Sequence, residues 1–466
     1  MVVSLHKTIG FQVCIFLVFS NTIIAQQRNY SLSDFVDSAE AHMPALLQKE
    51  AMVNAAKAGV TDARHSFLPT AFVGDELNLG TDNSLPGSYL SYGIIPSTSN
   101  GIRLSNNYQS AIGNIAIFQS QFELADFGLK KAKINNANAY TNLTQADLDR
   151  EKYLLKWRVG KLYFEEMKNQ FQLAIDWQNV TRYEEVYKVI EAVTLSGIKA
   201  GADSSLAMAE LSKSRISYNQ TEGKIRQLQQ QLSYLTGINI NNFSIDTTQI
   251  KNYQDALGFI SKGNKPDSSN NPMIDFYTKQ LLLNKQTENL VKKNYLPKII
   301  LNATGWARGS SIDYNGDYKS LGEGLGYQRF NYMVGATLVY DLFNVVHRKD
   351  KLAIAHFNTV ASDYDLQQEQ LALQNVNNQA EEAIKTSEKN LFEIPVQIKA
   401  SQDGYNQKTA QYKAGIINLI DLTNASFVLY RAQSDYVQTL SDWLLANLDK
   451  AAATYNLDLF IQSIKK

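Results

Sequence analysis

One handover occurs twice in this chain, and it limits the fold more than any other feature. In "HSFLPTAFVGDELNLG", His65 to Gly80, and in "NYLPKIILNATGW", Asn294 to Trp306, helical spacing of apolar residues gives way to alternation at a Leu-Pro. Pro44 lies 25 residues before Pro69, and Pro272 lies 25 residues before Pro297. Pro44 and Pro272 suit the first turn of a helix, where a missing N–H costs little. Pro69 and Pro297 stop that helix: the ring removes a hydrogen bond and pushes the preceding residue out of the α region. A second matched pair follows, Lys199-Ala200-Gly201 and Lys413-Ala414-Gly415. Two markers in the same order indicate an internal duplication. The offsets are 228 residues for the prolines and 214 for the glycines, so the copies differ in loop or helix length. Each copy reads helix, strand, loop, strand, very long helix, turn, helix. The expected division is a leader over 1–25, a first repeat over 26–250 and a second over 251–466.

Lys130 to Leu195 is helical throughout, with Leu155, Val159, Leu162 and Val186, Ile190, Val193 at i, i+4, i+7. Such a helix extends roughly 100 Å, a length that suits a coiled coil or bundle. Its counterpart runs from about Lys349 to Tyr412, with Pro395 and Gly404 expected to interrupt and kink it.

Alternation is clearest in the second copy, where Tyr332, Val334, Ala336, Leu338, Tyr340 and Leu342 share one face. From Tyr332 to Tyr340 spans roughly 26 Å of strand, which resembles the apolar band of a membrane barrel with aromatic girdles at its edges. Ile299, Leu301, Ala303 and Ala307 oppose Lys298, Asn302, Thr304 and Arg308 in the partner strand. In the first copy the strands are Thr70 to Gly80, with Asp75 on the face of Val73 and Leu77, and about Gln109 to Glu123. The connections between strands are long and polar, as loops outside a membrane are. Periodicity alone also admits, as the lesser reading, two soluble hairpins capping a helical stalk. In lipid, however, four strands leave edges that nothing satisfies. Barrels need at least about eight strands, so several chains must share one. Three chains give twelve strands, with the long helices lining a water-filled cylinder below.

The amino-terminal segment has Lys7, then a short apolar run from Ile9 to Phe19, then Ala25. It reads as a secretory leader cut near Ala25, or else as a buried helix. Cys14 is the only cysteine and precedes that cut, so the mature chain has no disulfide, thiolate metal site or cysteine nucleophile. The 45 basic and 45 acidic residues balance, which leaves no electrostatic footprint for nucleic acid. No other stretch approaches eighteen consecutive apolar residues, so membrane entry requires strands in a closed barrel.

The chain resembles the TolC-like outer membrane efflux family. The residues that carry the resemblance are "SLSDFVDSAEAHMPALLQKEAMVNAAKAG", the paired "FLPT" and "YLPKI", the paired "KAG" turns, "LSYLTG" at Leu232 to Gly237 and "YKAGIINLIDL" at Tyr412 to Leu422. They reach from Ser31 to about Asn456. The resemblance implies an α+β membrane protein: a long antiparallel α-helical barrel continuous with a transmembrane β-barrel, four strands per chain and twelve in a homotrimer. It implies the outer membrane of a Gram-negative bacterium, with outer membrane lipid around the barrel and the helices in the periplasm. It further implies a periplasmic adaptor (membrane fusion) protein and an inner membrane pump of RND or ABC type as partners, in efflux or type I secretion.

In that family the helix-turn-helix tips close the periplasmic end. Here the tips are Gly197 to Ser204 and Tyr412 to Asn418, so Gly197, Lys199, Gly201, Asp203, Ser204, Lys413, Gly415 and Asn418 are candidate adaptor contacts. Gly201 and Gly415 suit the left-handed turn after a helix; Ser204 and Asn418 suit N-caps. The resemblance places Asp421 on the narrowest aperture and Tyr412 among the contacts that hold it shut. Capping accounts for Asp421 equally well, as a carboxylate in a first helical turn. Departures weaken a gate of ion pairs: an expected acid is Asn424, an expected base is Ile417, and the first-copy match to Asp421 is Ala207. Asp203 could replace that carboxylate, though capping explains it as well.

His6, His42, His65, His347 and His356 lack metal-ligand spacing, "GEGLGY" at Gly322 to Tyr327 has no strand-to-helix context for phosphate, and no Walker sequence or nucleophile elbow occurs. No enzyme, cofactor or metal is expected. The rival to a passive export duct is an exported coiled-coil stalk that binds a partner through its hairpins.

Overall fold

A computed structural model describes residues 28–84, 103–196, 201–239, 243–245 and 271–464. The leader, Gly197 and Lys199 lie outside these residues. The first repeat contains α1 (Leu32–His42), α2 (Pro44–His65), β2 (Thr70–Gly80), β3 (Ala111–Ala125), α3 (Leu129–Leu195) and α4 (Gly201–Thr236). The second contains α5 (Pro272–Asn294), β5 (Lys298–Ser310), β6 (Arg329–Val339), α6 (Asn344–Lys413) and α7 (Leu419–Ala453), then a short α8 (Leu457–Ser463). Two three-residue strands, β1 (Arg28–Tyr30) and β4 (Phe243–Ile245), pair in parallel and tie the start of the described chain to the region between the repeats.

Both prolines at helix starts occupy the first turn. Asn271 caps α5 by accepting from the Met273 N–H at 3.0 Å, and its side-chain amide donates to the Ala452 carbonyl at 3.2 Å. α3 is 67 residues long, about 100 Å of helix. α6, at 70 residues, runs unbroken through Pro395 and Gly404, where the sequence reading expected an interruption. A proline in a helix interior costs about 3 kcal/mol, less than the packing that a helix of this length makes along its flanks, including Ile394 buried one residue before it.

The four long strands form one antiparallel sheet in the order β2-β3-β5-β6, so β2 and β6 are open edges. Register sorts the faces. Val73, Phe118, Gly305 and Tyr332 form one row; Ala71, Ser120, Ala303 and Val334 the next; Phe122, Leu301 and Ala336 a third. The opposite face carries Thr70, Gln121, Asn302 and Gly335, then Phe72, Gln119, Thr304 and Met333. One face is thus largely apolar and the other largely polar, the pattern of a wall between lipid and water. Phe330 and Tyr332 stand exposed toward the outer end of the apolar face, and Tyr340 and Phe343 lie beyond the inner end, since β6 stops at Val339.

The connection after β5 folds back on the sheet. The Asn114 amide donates to the Leu325 carbonyl at 2.9 Å, and the Ile112 N–H donates to Ser311 Oγ at 2.9 Å. A Cβ on Gly324 would stand 2.6 Å from the Ile112 carbonyl oxygen, so this middle glycine of "GEGLGY" serves close backbone packing. Asp75, the misfit on the apolar face, lies near the Tyr327 hydroxyl from this connection.

The core forms a belt where α1, α3, α4, α7 and α8 converge. Phe35 meets Tyr163 edge-on at 6.0 Å, Tyr163 meets Phe164 at 5.6 Å, and Phe164 meets Phe460 at 6.0 Å. Along α6, by contrast, Phe357, Tyr364 and Leu371 recur every seventh residue and remain exposed, as does Phe392 further on. A seven-residue apolar repeat on a helix surface is a seam for another helix.

Candidate functional site

The end of the helical body remote from the sheet holds the candidate residues. α6 closes with a turn in which the Gly415 N–H donates to the Tyr412 carbonyl at 3.0 Å and the Ile416 N–H to the Gln411 carbonyl at 2.9 Å. This double bond pattern requires a left-handed residue, and Gly415 has φ 73°. Three residues on, Asn418 caps α7, its side-chain oxygen accepting from the Asp421 N–H at 2.9 Å. Asp421 then lies exposed in the first turn, on the opposite side from the buried Leu419 and Leu422.

In the first copy the described residues resume at Gly201. Gly201 is the first residue of α4 and is not among the glycines with positive φ; Ser204 lies inside that helix, so it is not the N-cap. Asp203 does occupy the first turn. Ala207, the repeat counterpart of Asp421, is buried, which separates the two copies at this level.

Tyr412 is 9% exposed and packs with Ile190, Ala207, Leu419 and Leu422, drawing α3, α4, α6 and α7 into one small core at the tip. Lys413 and Gly415 are exposed around it. Ile416 and Ile420 are also exposed, an apolar pair at the turn that the charge-centred sequence reading overlooked.

Above the tip lies a polar ladder that the sequence reading also missed. Asp176, 1% exposed, accepts from Gln172 Nε2 at 2.9 Å, Thr221 Oγ1 at 2.6 Å and the Tyr430 hydroxyl at 2.9 Å. Burial, then the Asp176 carboxylate, pushes the Tyr430 hydroxyl above its usual pKa. Arg182 donates to Asn179 Oδ1 at 3.1 Å and Gln433 Oε1 at 3.4 Å and lies 6.0 Å from the Tyr405 ring centre; burial lowers its pKa. Glu166 is wholly buried, with Gln170 and Gln229 donating to one oxygen at 2.9 and 3.2 Å and the other oxygen unpartnered. A signal existed: Glu166 lies seven residues after Val159, and Asp176 lies seven before Tyr183, in phase with the buried stripe of α3.

Desolvation raises the Glu166 pKa to about 7. A carboxyl raised above its unfolded value favours the fold most below that unfolded value, and the benefit is lost as pH rises through about 7. Glu166→Gln is therefore expected to leave stability nearly unchanged at pH 4.5 and to raise it at pH 8 by on the order of 2 kcal/mol per chain. Unfolding midpoints of both proteins across that range check the sign.

Among the described residues, no group of three or more His, Cys, Asp or Glu could hold a metal. Among them, too, no helix is long and apolar enough to cross a membrane, a statement about helices that leaves the sheet as the element with a lipid-like face.

Comparison with known proteins agrees with this architecture. A family model described as outer membrane efflux protein matches residues 35–238 and 283–453, one segment in each repeat. No curated protein sequence matches significantly. Among solved structures, the outer membrane protein VceC from Vibrio cholerae superposes with a TM-score of 0.71 at 12% identity, over 91% of this chain and 95% of that one. The Campylobacter jejuni CmeC outer membrane channel gives 0.72 at 14% identity, over 91% and 86%. The open state of the Neisseria gonorrhoeae MtrE outer membrane channel gives 0.67 at 15% identity, over 91% and 89%. At such identities the likeness establishes the fold, and none of these matches supports the stalk reading. The family match covers both repeats around a lipid-faced sheet and a long helical body, so this chain belongs to the outer membrane efflux protein family, channels of the bacterial outer membrane whose helical part stands in the periplasm.

Proposed function

We propose that three mature chains, each released from a leader over 1–25 and built of repeats 26–250 and 251–466, form a passive duct from periplasm to exterior. The observation that carries this reading is the sheet with two open edges and one apolar face. Open edges in lipid leave backbone groups unsatisfied, so the sheet must close with other copies. Strand directions alternate from β2 to β6, which makes the joint between β6 and the next β2 antiparallel. The exposed heptad stripe of α6 supplies the helical counterpart of that joint.

At the far end, the exposed turns around Lys413, Gly415, Ile416 and Asn418, with Gly201, Asp203 and Ser204 beside them and Gly197 and Lys199 in the connecting segment, are the surface offered to a periplasmic adaptor. An inner membrane pump of RND or ABC type supplies the energy for transport through this passive duct. Tyr412 holds the tip helices together, and Asp421, repeated by three-fold symmetry, rings the opening. Three close carboxylates attract cations.

Purified protein in detergent is expected to sediment as a trimer and to conduct ions in a planar bilayer. Asp421→Asn is expected to reduce cation over anion preference several-fold in single-channel recordings. Unchanged selectivity would return Asp421 to the role of a residue in a capped first turn.

A further inference from the structure

The chain contains one seam between its own repeats, β3 against β5, and that seam predicts the register of the joint between chains. Pro297 repeats Pro69, so β5 repeats β2 at an offset of 228. The hairpins pair Thr70 with Gln121 and Lys298 with Val339. Thr70 and Lys298 are themselves 228 apart, so Val339 repeats Gln121 and β6 repeats β3 at an offset of 218. Within the chain, Ile117 lies opposite Trp306, Phe118 opposite Gly305 and Ala116 opposite Ala307. Applying the two offsets converts each internal pair into one between chains.

We infer that β6 meets β2 of the next copy with Gly335 opposite Asn78 of the partner subunit, Ala336 opposite Leu77 of the partner subunit and Val334 opposite Leu79 of the partner subunit. This inference rests on the trimeric barrel proposed above and goes beyond it by fixing which residues touch. A second observation agrees with it. Asn78 and Gly335 both lie on the polar face of the sheet, whereas Leu77, Leu79, Val334 and Ala336 lie on the apolar face. The transferred register keeps polar with polar and apolar with apolar. A shift by one residue would turn Asn78 toward lipid and Leu77 toward the lumen.

Paired cysteines test the register. The only natural cysteine, Cys14, lies in the proposed leader, so a mature chain gives no background. Directly opposite positions on adjacent rows alternate between wide and close spacing. One of the two double variants Gly335→Cys/Asn78→Cys and Ala336→Cys/Leu77→Cys must therefore be the close type. The full-length protein, expressed in outer membranes and oxidised there, is expected to give a covalent trimer on denaturing, non-reducing gels for at least one of these variants. The shifted variants Gly335→Cys/Glu76→Cys and Gly335→Cys/Gly80→Cys are expected to give much less. Preferential linkage of a shifted variant overturns the register. So does an intact trimer by sedimentation in detergent with no linkage in any variant. A monomer by sedimentation overturns the trimeric barrel itself, so the two failures are distinguishable.

Discussion

Val334→Lys is expected to abolish assembly of the channel in the membrane, while Met333→Lys, one residue away, leaves it assembled. The two side chains sit at the middle of β6 and point to opposite faces, Val334 in the row with Ala303 and Met333 in the row with Thr304. A lysine on the lipid side of a barrel near the midplane costs about 2–4 kcal/mol, and a lumen lysine costs little because water solvates it. Three-fold repetition multiplies the first figure to roughly 6–12 kcal/mol per trimer, a large fraction of what holds any protein folded. The measurement is the amount of heat-modifiable trimer in purified outer membranes. Met333→Lys should also shift conductance toward anions, which Val334→Lys cannot do if no channel forms. Equal assembly of both variants would mean that the apolar face of the sheet does not contact lipid.

Phe460→Ala is the second large effect. Phe460 is fully buried in α8 and meets Phe164 edge-on at 6.0 Å. Truncating a buried phenylalanine removes its transfer energy and leaves a cavity, about 3–5 kcal/mol in total. In the belt, helices from both repeats touch one another, so the loss falls on a joint rather than on a single coil. Denaturant midpoints of the detergent-solubilised protein should fall accordingly, whereas Tyr314→Ala, at an exposed loop position, should stay within about 0.5 kcal/mol of the parent. A Phe460→Ala variant as stable as the parent would show that α8 is peripheral to the belt.

The elements legible in the sequence were those specified locally. Thr70 to Gly80 was bounded as observed, because Pro69 ends the helix before it and alternation marks the strand. α3 was placed to within a residue at its start, since a stripe of apolar residues over so many turns has one interpretation. β3 was placed two residues early, within the ordinary uncertainty of an element boundary. What escaped depends on partners far away in sequence. Three-residue strands such as β1 and β4 carry no period, and their pairing joins residues near 30 and 245. The buried acids Glu166 and Asp176 were invisible while charge was read as exposure, although their phase on α3 marked them. Gly201 and Ser204 lie inside α4 rather than at a left-handed turn and an N-cap, a boundary that no local signal in the sequence marks. Pro395 stays inside one continuous helix because the packing along the rest of α6 outweighs its local cost.

The belt also determines where foreign sequence can be attached. Val159, at its centre, lies about 45 Å of helix from the start of α3 and about 54 Å from its end. The β1–β4 pairing holds the first described residues near that level, and α8 brings the last ones to the same place. Residues 28 and 464 therefore both stand midway along the helical body, away from the sheet and from the tip. Labels attached at these two positions should accordingly report on the periplasm at a single height.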